Sequence, residues 1–501
     1  MKYNIIETDD IVKKYLSKHT DVDLNKYNDD YDFSINEKAI NTFYNKLLEY
    51  KDSRFLIVGD YDCDGICSVT IIKNLFKKLG INNNYYIPSR TKEGYGLNKL
   101  IVDNAIKYNY DVLFLVDNGV NCFEAIEYAY ANNIKVFIID HHKYENMPKC
   151  EAFIHQDLLS KEFEYGSAGE LCFLLSLCSY FDAYNLILAG LTILSDYIKI
   201  NSFNRHILSK MLEHLNKHDY WPLFYLNESD SYSTTSLTFI VIPKINSISR
   251  MESEEINPNH IVKYLLSEYP NIEDVSRSIS EINSKRKNES NVIFNDIISK
   301  EYDKDYIFIN SKDINEGYCS SLATKLCSYY DKPVFVFNES DSLCKGSCRC
   351  QSLDIHSLLS NYSKYVSFGG HEHACGITLQ AKDIDDFINY LDSLNFKEGI
   401  ESEEYVYILD PSQINYDLLN KINSLGPFGH GYDMPLIGVK NNDFNLTVLK
   451  NKYTKFTISD TITAITFEEK YLGYHPKYIF GSLNVDSYRP GAFSIIIKGL
   501  F

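Results

Sequence analysis

At 501 residues with 45% hydrophobic content, the chain is long enough for several hydrophobic cores rather than one. Its formal net charge of −18 opposes electrostatic steering of a polyanion by the whole molecule, so a phosphate-rich ligand would need local basic patches or cations seated among the acids. There is no run of about eighteen apolar residues and no basic leader ahead of an apolar segment, and twelve cysteines lie mostly in apolar stretches; together these predict a cytoplasmic protein without a membrane span, its thiols reduced.

From about residue 50, strand-like and helix-like segments alternate: strands at 54–58, 84–88, 112–116 and 135–139, helices at 66–79, 97–108 and 122–132. Such alternation predicts a parallel sheet flanked by helices, with ligands beyond the carboxyl ends of its strands. Three of those ends are acidic: Asp60, Asp62 and Asp64 follow the first, Asp117-Asn118-Gly119 the third, Asp140-His141-His142 the fourth. Read as a continued extended segment, the first cluster points three alternate carboxylates the same way, an arrangement that asks for a cation. Helical segments at 168–181 and 184–197 follow, the second carrying Asp196 in its last turn.

The polar stretch at 255–300 reads as one long connecting helix. A second α/β unit follows over 305–394, and beyond a charged linker at 397–404 the segments become short and β-like, fitting a small closed barrel. The expected domains are therefore 1–254, 255–300 (the helix), 301–400 and 401–501.

Asp60, Asp62, Asp64, Asp117, His141, His142 and Asp196 offer more ligands than one ion needs, which suggests two octahedral metals sharing a carboxylate. Mixed carboxylate and imidazole ligation favours Mn²⁺, with Mg²⁺ as the alternative. Two such ions can activate water and polarise a phosphoryl oxygen, so the expected reaction is phosphoester hydrolysis. Taken singly, an Asp at a strand end more often caps a helix, Asp117-Asn118-Gly119 is a turn, and a His pair is ordinary surface or core; it is their joint register at strand ends that points to chemistry.

The order of these motifs resembles the DHH phosphoesterase superfamily, and within it the single-strand-specific 5′ to 3′ exonucleases. The resemblance covers roughly residues 50 to 501 and rests on Gly59-Asp60-Tyr61-Asp62-Cys63-Asp64-Gly65, Pro88-Ser89-Arg90, Asp140-His141-His142, Gly166-Ser167-Ala168-Gly169, Asn246-Ser247-Ile248-Ser249-Arg250, Lys345-Gly346-Ser347-Cys348-Arg349, Gly369-Gly370-His371 and Pro427-Phe428-Gly429. It implies a catalytic DHH domain, a DHHA1 domain and an OB-fold. It implies metal ligation by Asp62, Asp64, Asp117, His141 and Asp196, with Asp60 and His142 in or beside that shell. It further implies that Arg90, Ser347 and Arg349 bind a 5′ phosphate, and that Asn246, Arg250 and His371 contact the scissile phosphate or nearby backbone. Single-stranded DNA is then the expected partner, in recombination or repair, with a single-strand-binding protein or a helicase as protein partners. Two departures stand out: Ala374-Cys375-Gly376 where Ala-Ala-Gly is common, and Ser249 where a glycine usually precedes the arginine. Two other readings stand beside it: an oligoribonuclease or small-nucleotide phosphatase that pairs the same first two domains, and an inactive replisome scaffold of the same superfamily, a kind that loses metal ligands where this chain keeps all of its acids and both histidines.

Overall fold

The computed structural model describes residues 2–27, 33, 36–90, 92–229, 231–251, 256–339, 342–396, 403–441, 444–449, 453–466, 476–486 and 488–500; most of the linker expected at 397–404 lies outside them. Strand β1 (Lys2–Glu7) opens the chain but belongs to its far end, as described below.

Five parallel strands, β2 (Phe55–Val58), β3 (Asn83–Tyr86), β4 (Val112–Val116), β5 (Lys135–Ile139) and β6 (Ala152–Ile154), form the first sheet in the order β3-β2-β4-β5-β6. β4 reads Val-Leu-Phe-Leu-Val and is buried throughout, as a central strand covered on both faces must be. Phe114 and Val116 enter one core; Leu113 and Leu115 enter another with Ile101 and Ile126. After β3 the chain crosses back over β2 to lay down β4, so a topological switch point falls between the carboxyl ends of β2 and β4. The buried helices Ala168–Leu177 and Ala183–Ser195 pack on helix Cys63–Leu79 behind this rim.

The helix expected over 255–300 is two helices, Pro258–Leu265 and Ile272–Ile298. Pro270 lacks a backbone N–H and biases Tyr269 away from helical angles, which separates them. At about 1.5 Å per residue the second helix spans roughly 40 Å.

A second sheet holds β7 (Ile307–Ser311), β8 (Val334–Glu339), β9 (Leu343–Arg349), β10 (Tyr365–His371) and β11 (Ala374–Gln380) in the order β10-β11-β9-β8-β7. Only β7 and β8 are parallel, joined through helix Glu316–Tyr330.

The last sheet contains β12 (Glu403–Ile408), β13 (Leu436–Lys440), β14 (Asn445–Leu449), β15 (Tyr453–Thr457), β16 (Ile462–Thr466), β17 (Tyr478–Val485) and β18 (Phe493–Leu500). Its order is β1-β12-β13-β17-β18-β16-β15-β14, so the ladders of the described residues do not close the barrel expected here. β1 lies parallel to β12 and occupies the edge that closure onto β14 would use. The OB-type sheet docks on the first domain through Tyr15, whose hydroxyl donates to the Asp433 carbonyl at 2.6 Å, and through Arg205, whose guanidinium donates to the carbonyls of Ser424, Leu425 and Gly426.

Candidate metal centre

The first acidic cluster converges by a route different from the extended alternation expected. Asp62 is the N-cap of helix Cys63–Leu79, its Oδ1 accepting from the backbone N–H of Asp64 at 3.1 Å and Gly65 at 3.2 Å, so Asp64 already lies in the first helical turn. A Cβ on Gly65 would stand 2.3 Å from the Asp60 carbonyl oxygen, and glycine alone lets the helix start this close to Asp60. The fully buried Asp64 accepts from the N–H groups of Ala168 at 2.9 Å and Gly169 at 2.7 Å, where a second helix starts and its free N–H groups favour an anion. Asn246 Oδ1 accepts from Cys63 N–H at 2.8 Å, pinning the same turn from a third helix.

Asp117 leaves the central strand with φ +59°, a left-handed backbone uncommon outside glycine, and its N–H is fixed on the Ile139 carbonyl at 2.9 Å. The buried Asn118 beside it donates to the carbonyls of Val58 and Val116, tying the ends of β2 and β4 together. On the next strand, buried Asp140 accepts from the N–H groups of Val120, His141 and His142 and, at 2.8 Å, from His142 Nδ1. The same Nδ1 stands 3.1 Å from the Tyr95 hydroxyl and 3.9 Å from Asp117 Oδ1, so Asp140 fixes the orientation of the His142 ring at the edge of the cluster. Gln156 donates to the His141 carbonyl and His155 faces the His142 carbonyl at 3.1 Å, while the Tyr95 hydroxyl donates to the Asp117 carbonyl at 2.9 Å. Asp196 caps helix Ala183–Ser195 and accepts from the Ser195 hydroxyl.

These pieces meet. His141 Nε2 stands 3.3 Å from Asp117 Oδ1, 3.4 Å from Asp196 Oδ2 and 3.7 Å from Asp64 Oδ2. Three sets of donor atoms, each within 4.8 Å of one another, comprise Asp117, His141 and His142; Asp64, His141 and Asp196; and Asp60, Asp62 and Asp117. Together they contain all seven residues named from the sequence. Asp117 joins two sets because β4 lies between β2 and β5.

The donor atoms suit divalent cations. Asp60 Oδ1, Asp117 Oδ1 and His141 Nε2 are buried without a hydrogen-bond partner, an arrangement that is costly unless another ligand satisfies them. Burial, then the neighbouring Asp196, pushes Asp62 up to about 6 and Asp64 up to about 8. Burial, then a neighbouring carboxylate, lifts Asp60 and Asp117 well above the carboxylate range. Burial works against a charged His141, yet the carboxylates of Asp117 and Asp196, 3.3 and 3.4 Å from its Nε2, hold it well above an ordinary imidazole. Burial likewise works against a charged Asp196, but His141 keeps that carboxyl below its usual range. Cations seated among these carboxylates would relieve the same repulsion.

Beside this centre lie the residues expected to hold phosphate. Arg90 places its guanidinium over the Tyr61 ring at 5.2 Å, with Nε buried and unpartnered. Ser347 and Arg349 share one face of β9, Arg349 donating to Ser347 Oγ and the Cys348 carbonyl, each at 2.7 Å, and to Ser320 Oγ at 2.6 Å. Arg250 ends helix Ile242–Arg250, which also carries Asn246. The side chain of His371 lies outside the described residues. Sequence reasoning did not assign Asp140, although it stood in the motif, nor Tyr95, Asn118, His155 and Gln156, whose roles depend on backbone groups brought close by folding.

Family models match in the same order: the DHH family, N-terminal domain at residues 54–194, the DHHA1 domain at 303–395 and the RecJ OB domain at 407–489. Curated relatives include the single-stranded-DNA-specific exonucleases RecJ of Bacillus subtilis, 26% identical over 415 residues, and of Haemophilus influenzae, 22% identical over 430. The first match covers 78% of this chain and 52% of the relative, the second 76% and 74%, so the chain spans about half of the Bacillus protein. Among solved structures, RecJ in complex with Mn²⁺ from Thermus thermophilus superposes with TM-score 0.83 at 16% identity, covering 100% of this chain and 79% of that one. A second, an exonuclease RecJ bound to manganese, gives 0.61 at 19%, covering 72% and 96%; at such identities both speak to the fold. With three domain models in register and an acidic rim built from the first of them, the chain belongs to the DHH family, in the arrangement that joins a DHH domain to a DHHA1 domain and a RecJ OB domain.

Proposed function

We propose that this protein is a metal-dependent exonuclease that hydrolyses single-stranded DNA from its 5′ end, in recombination or repair. The observation that carries the reading is the meeting of seven potential ligands, three with orphaned buried donor atoms, next to arginines that among the described residues have no carboxylate at ion-pair distance. Asp60, Asp62, Asp64, Asp117, His141, His142 and Asp196 would hold two divalent ions, Mn²⁺ first and Mg²⁺ second. When bound, such ions supply acidified water and Lewis-acid polarisation of a phosphoryl oxygen. Asp140 fixes the orientation of the His142 ring, and Asn246 holds the Asp62–Asp64 turn while its amide NH₂ remains to meet a phosphate oxygen. Arg90, Ser347 and Arg349 would take the terminal phosphate, and Arg250 with His371 the scissile one, since planar guanidinium forks match phosphate oxygens.

The DNA preference and the polarity rest on what the relatives are named for. The reading places the protein in the cytoplasm, where a single-strand-binding protein or a helicase would present the strand; among the described residues no helix is long and apolar enough to cross a membrane. The proposed divisions at 254, 300 and 400 separate the catalytic, connecting, DHHA1 and OB-fold parts.

The test is Mn²⁺-dependent release of nucleotides from a 5′-phosphorylated single strand, compared with the duplex, an RNA of the same sequence and a dinucleotide. Release from the long single strand in preference to the other three supports the reading. Preference for the dinucleotide would instead indicate a small-nucleotide phosphodiesterase, and no hydrolysis with either ion a scaffold.

A further inference from the structure

Only eight arginines occur in the chain, and four of them gather at the junction of the first two domains. Arg90, Arg250 and Arg349 were expected there. The fourth, Arg286, comes from helix Ile272–Ile298, which packs against both the helix carrying Arg250 and helix Glu316–Tyr330. A residue in the middle of a polar helix should face water, yet Arg286 is only 7% exposed. Its Nε and Nη2 both point at one neutral acceptor, Asn283 Oδ1, at 3.4 and 3.0 Å. Among the described residues none of the four has a carboxylate within ion-pair distance. Their acceptors are neutral: Ser347 Oγ, Ser320 Oγ, the Cys348 carbonyl and the Asn283 amide.

Four guanidiniums, one buried and three partly buried, with no carboxylate at ion-pair distance among the described residues, repel one another. Withdrawal from solvent, then the like charge of Arg90, Arg286 and Arg349, brings Arg250 down to about 9. In a chain with a net charge of −18, acids to pair with them are plentiful; yet among the described residues the nearest, Asp60 beside Arg90 and Asp62 beside Arg250, act on them only from beyond ion-pair distance, leaving a place for a mobile anion.

We propose that Arg286, held by Asn283, is a fourth phosphate-binding residue of the substrate site, so that the helix linking the two domains also grips the strand at the Arg250 side. This rests on the reading of the protein as a single-strand nuclease. The helix thereby couples the spacing of the two domains to occupancy by a phosphate.

The test is steady-state hydrolysis of a 5′-phosphorylated single-stranded DNA oligomer by the full chain with Mn²⁺ over a series of salt concentrations. For Arg286→Gln, KM is expected to rise roughly tenfold with kcat within about twofold, as for loss of one charged hydrogen-bonding partner. The slope of log KM against log salt should fall by about 0.7, one phosphate contact on a single strand. A raised KM with the wild-type slope would indicate a structural role and overturn the proposal, as would an unchanged KM. Should Arg286→Gln fail to fold, Arg286→Lys carries the test. Keeping the charge but losing the fork should raise KM severalfold at an unaltered slope, and an unaltered KM would overturn the proposal. Failure of the wild-type protein to hydrolyse the oligomer would instead sink the nuclease reading.

Discussion

Asp117 concentrates the physics of the centre in one residue: a left-handed backbone, a carboxylate shared by two ligand sets, and an oxygen buried without a partner. Asparagine tolerates the left-handed conformation and keeps the shape while removing the charge. Asp117→Asn is therefore expected to fold, to melt several degrees higher than the wild type without metal, and to lose at least about a thousandfold in kcat together with the Mn²⁺-induced rise in Tm. Thermal melts with and without Mn²⁺ check this, and an undiminished metal-induced rise would exclude Asp117 as a ligand.

Titration at the same scale gives a second expectation. Asp62 at about 6 and Asp64 at about 8 bind protons more tightly in the folded protein than at the ordinary 3.8, so between pH 4 and 8 the folded state holds more protons than the unfolded chain. Their contribution to metal-free stability is fully present below about pH 4 and is lost as the pH rises to about 8. His141, held above its ordinary value, acts in the same sense, while the depressed Asp196 acts only at lower pH. Melting of the metal-free protein across this range should show Tm falling with pH, and saturating Mn²⁺ should abolish the fall; a metal-free Tm that rises from pH 5 to 8 would contradict the crowding.

At the scale of elements, the acidic rim was legible because each proposed ligand but Asp196 follows an apolar strand, and a parallel sheet brings such ends to one edge. The local geometry was not: nothing in Asp60-Tyr61-Asp62-Cys63-Asp64 marks where strand gives way to helix, and an N-cap aspartate reads like any other acid. Asp140 was hidden for a related reason, because its partners are three backbone N–H groups and one ring nitrogen, none visible as a residue type. Asp140→Ala leaves those buried donors without an acceptor, at about 2–3 kcal/mol in stability, and frees the His142 ring, so metal affinity should fall by about 10- to 100-fold. Denaturant melts and a manganese titration measure the two effects separately. Wild-type metal affinity in a destabilised variant would show that Asp140 only braces the loop.

At the scale of the whole molecule, three domains were visible as changes of periodicity, but the pairing of residues 2–7 with 403–408 was not, since no local pattern records a contact four hundred residues away. Nor was the inward face of Arg286, which depends on what packs against the helix. β1 covers the β12 edge with main-chain bonds, so deleting residues 2–7 should uncover an edge strand, lower the Tm and promote concentration-dependent self-association seen by light scattering. A monodisperse variant of unchanged Tm would show that β1 is dispensable.

Beneath all of this lies the assignment of two cations to one rim. Anomalous diffraction from Mn²⁺-soaked crystals addresses it directly. Two peaks roughly 3.5–4 Å apart are expected, one beside Asp64, His141 and Asp196 and one beside Asp60 and Asp62, with Asp117 between them. A single peak, or peaks away from these side chains, would contradict the two-metal centre.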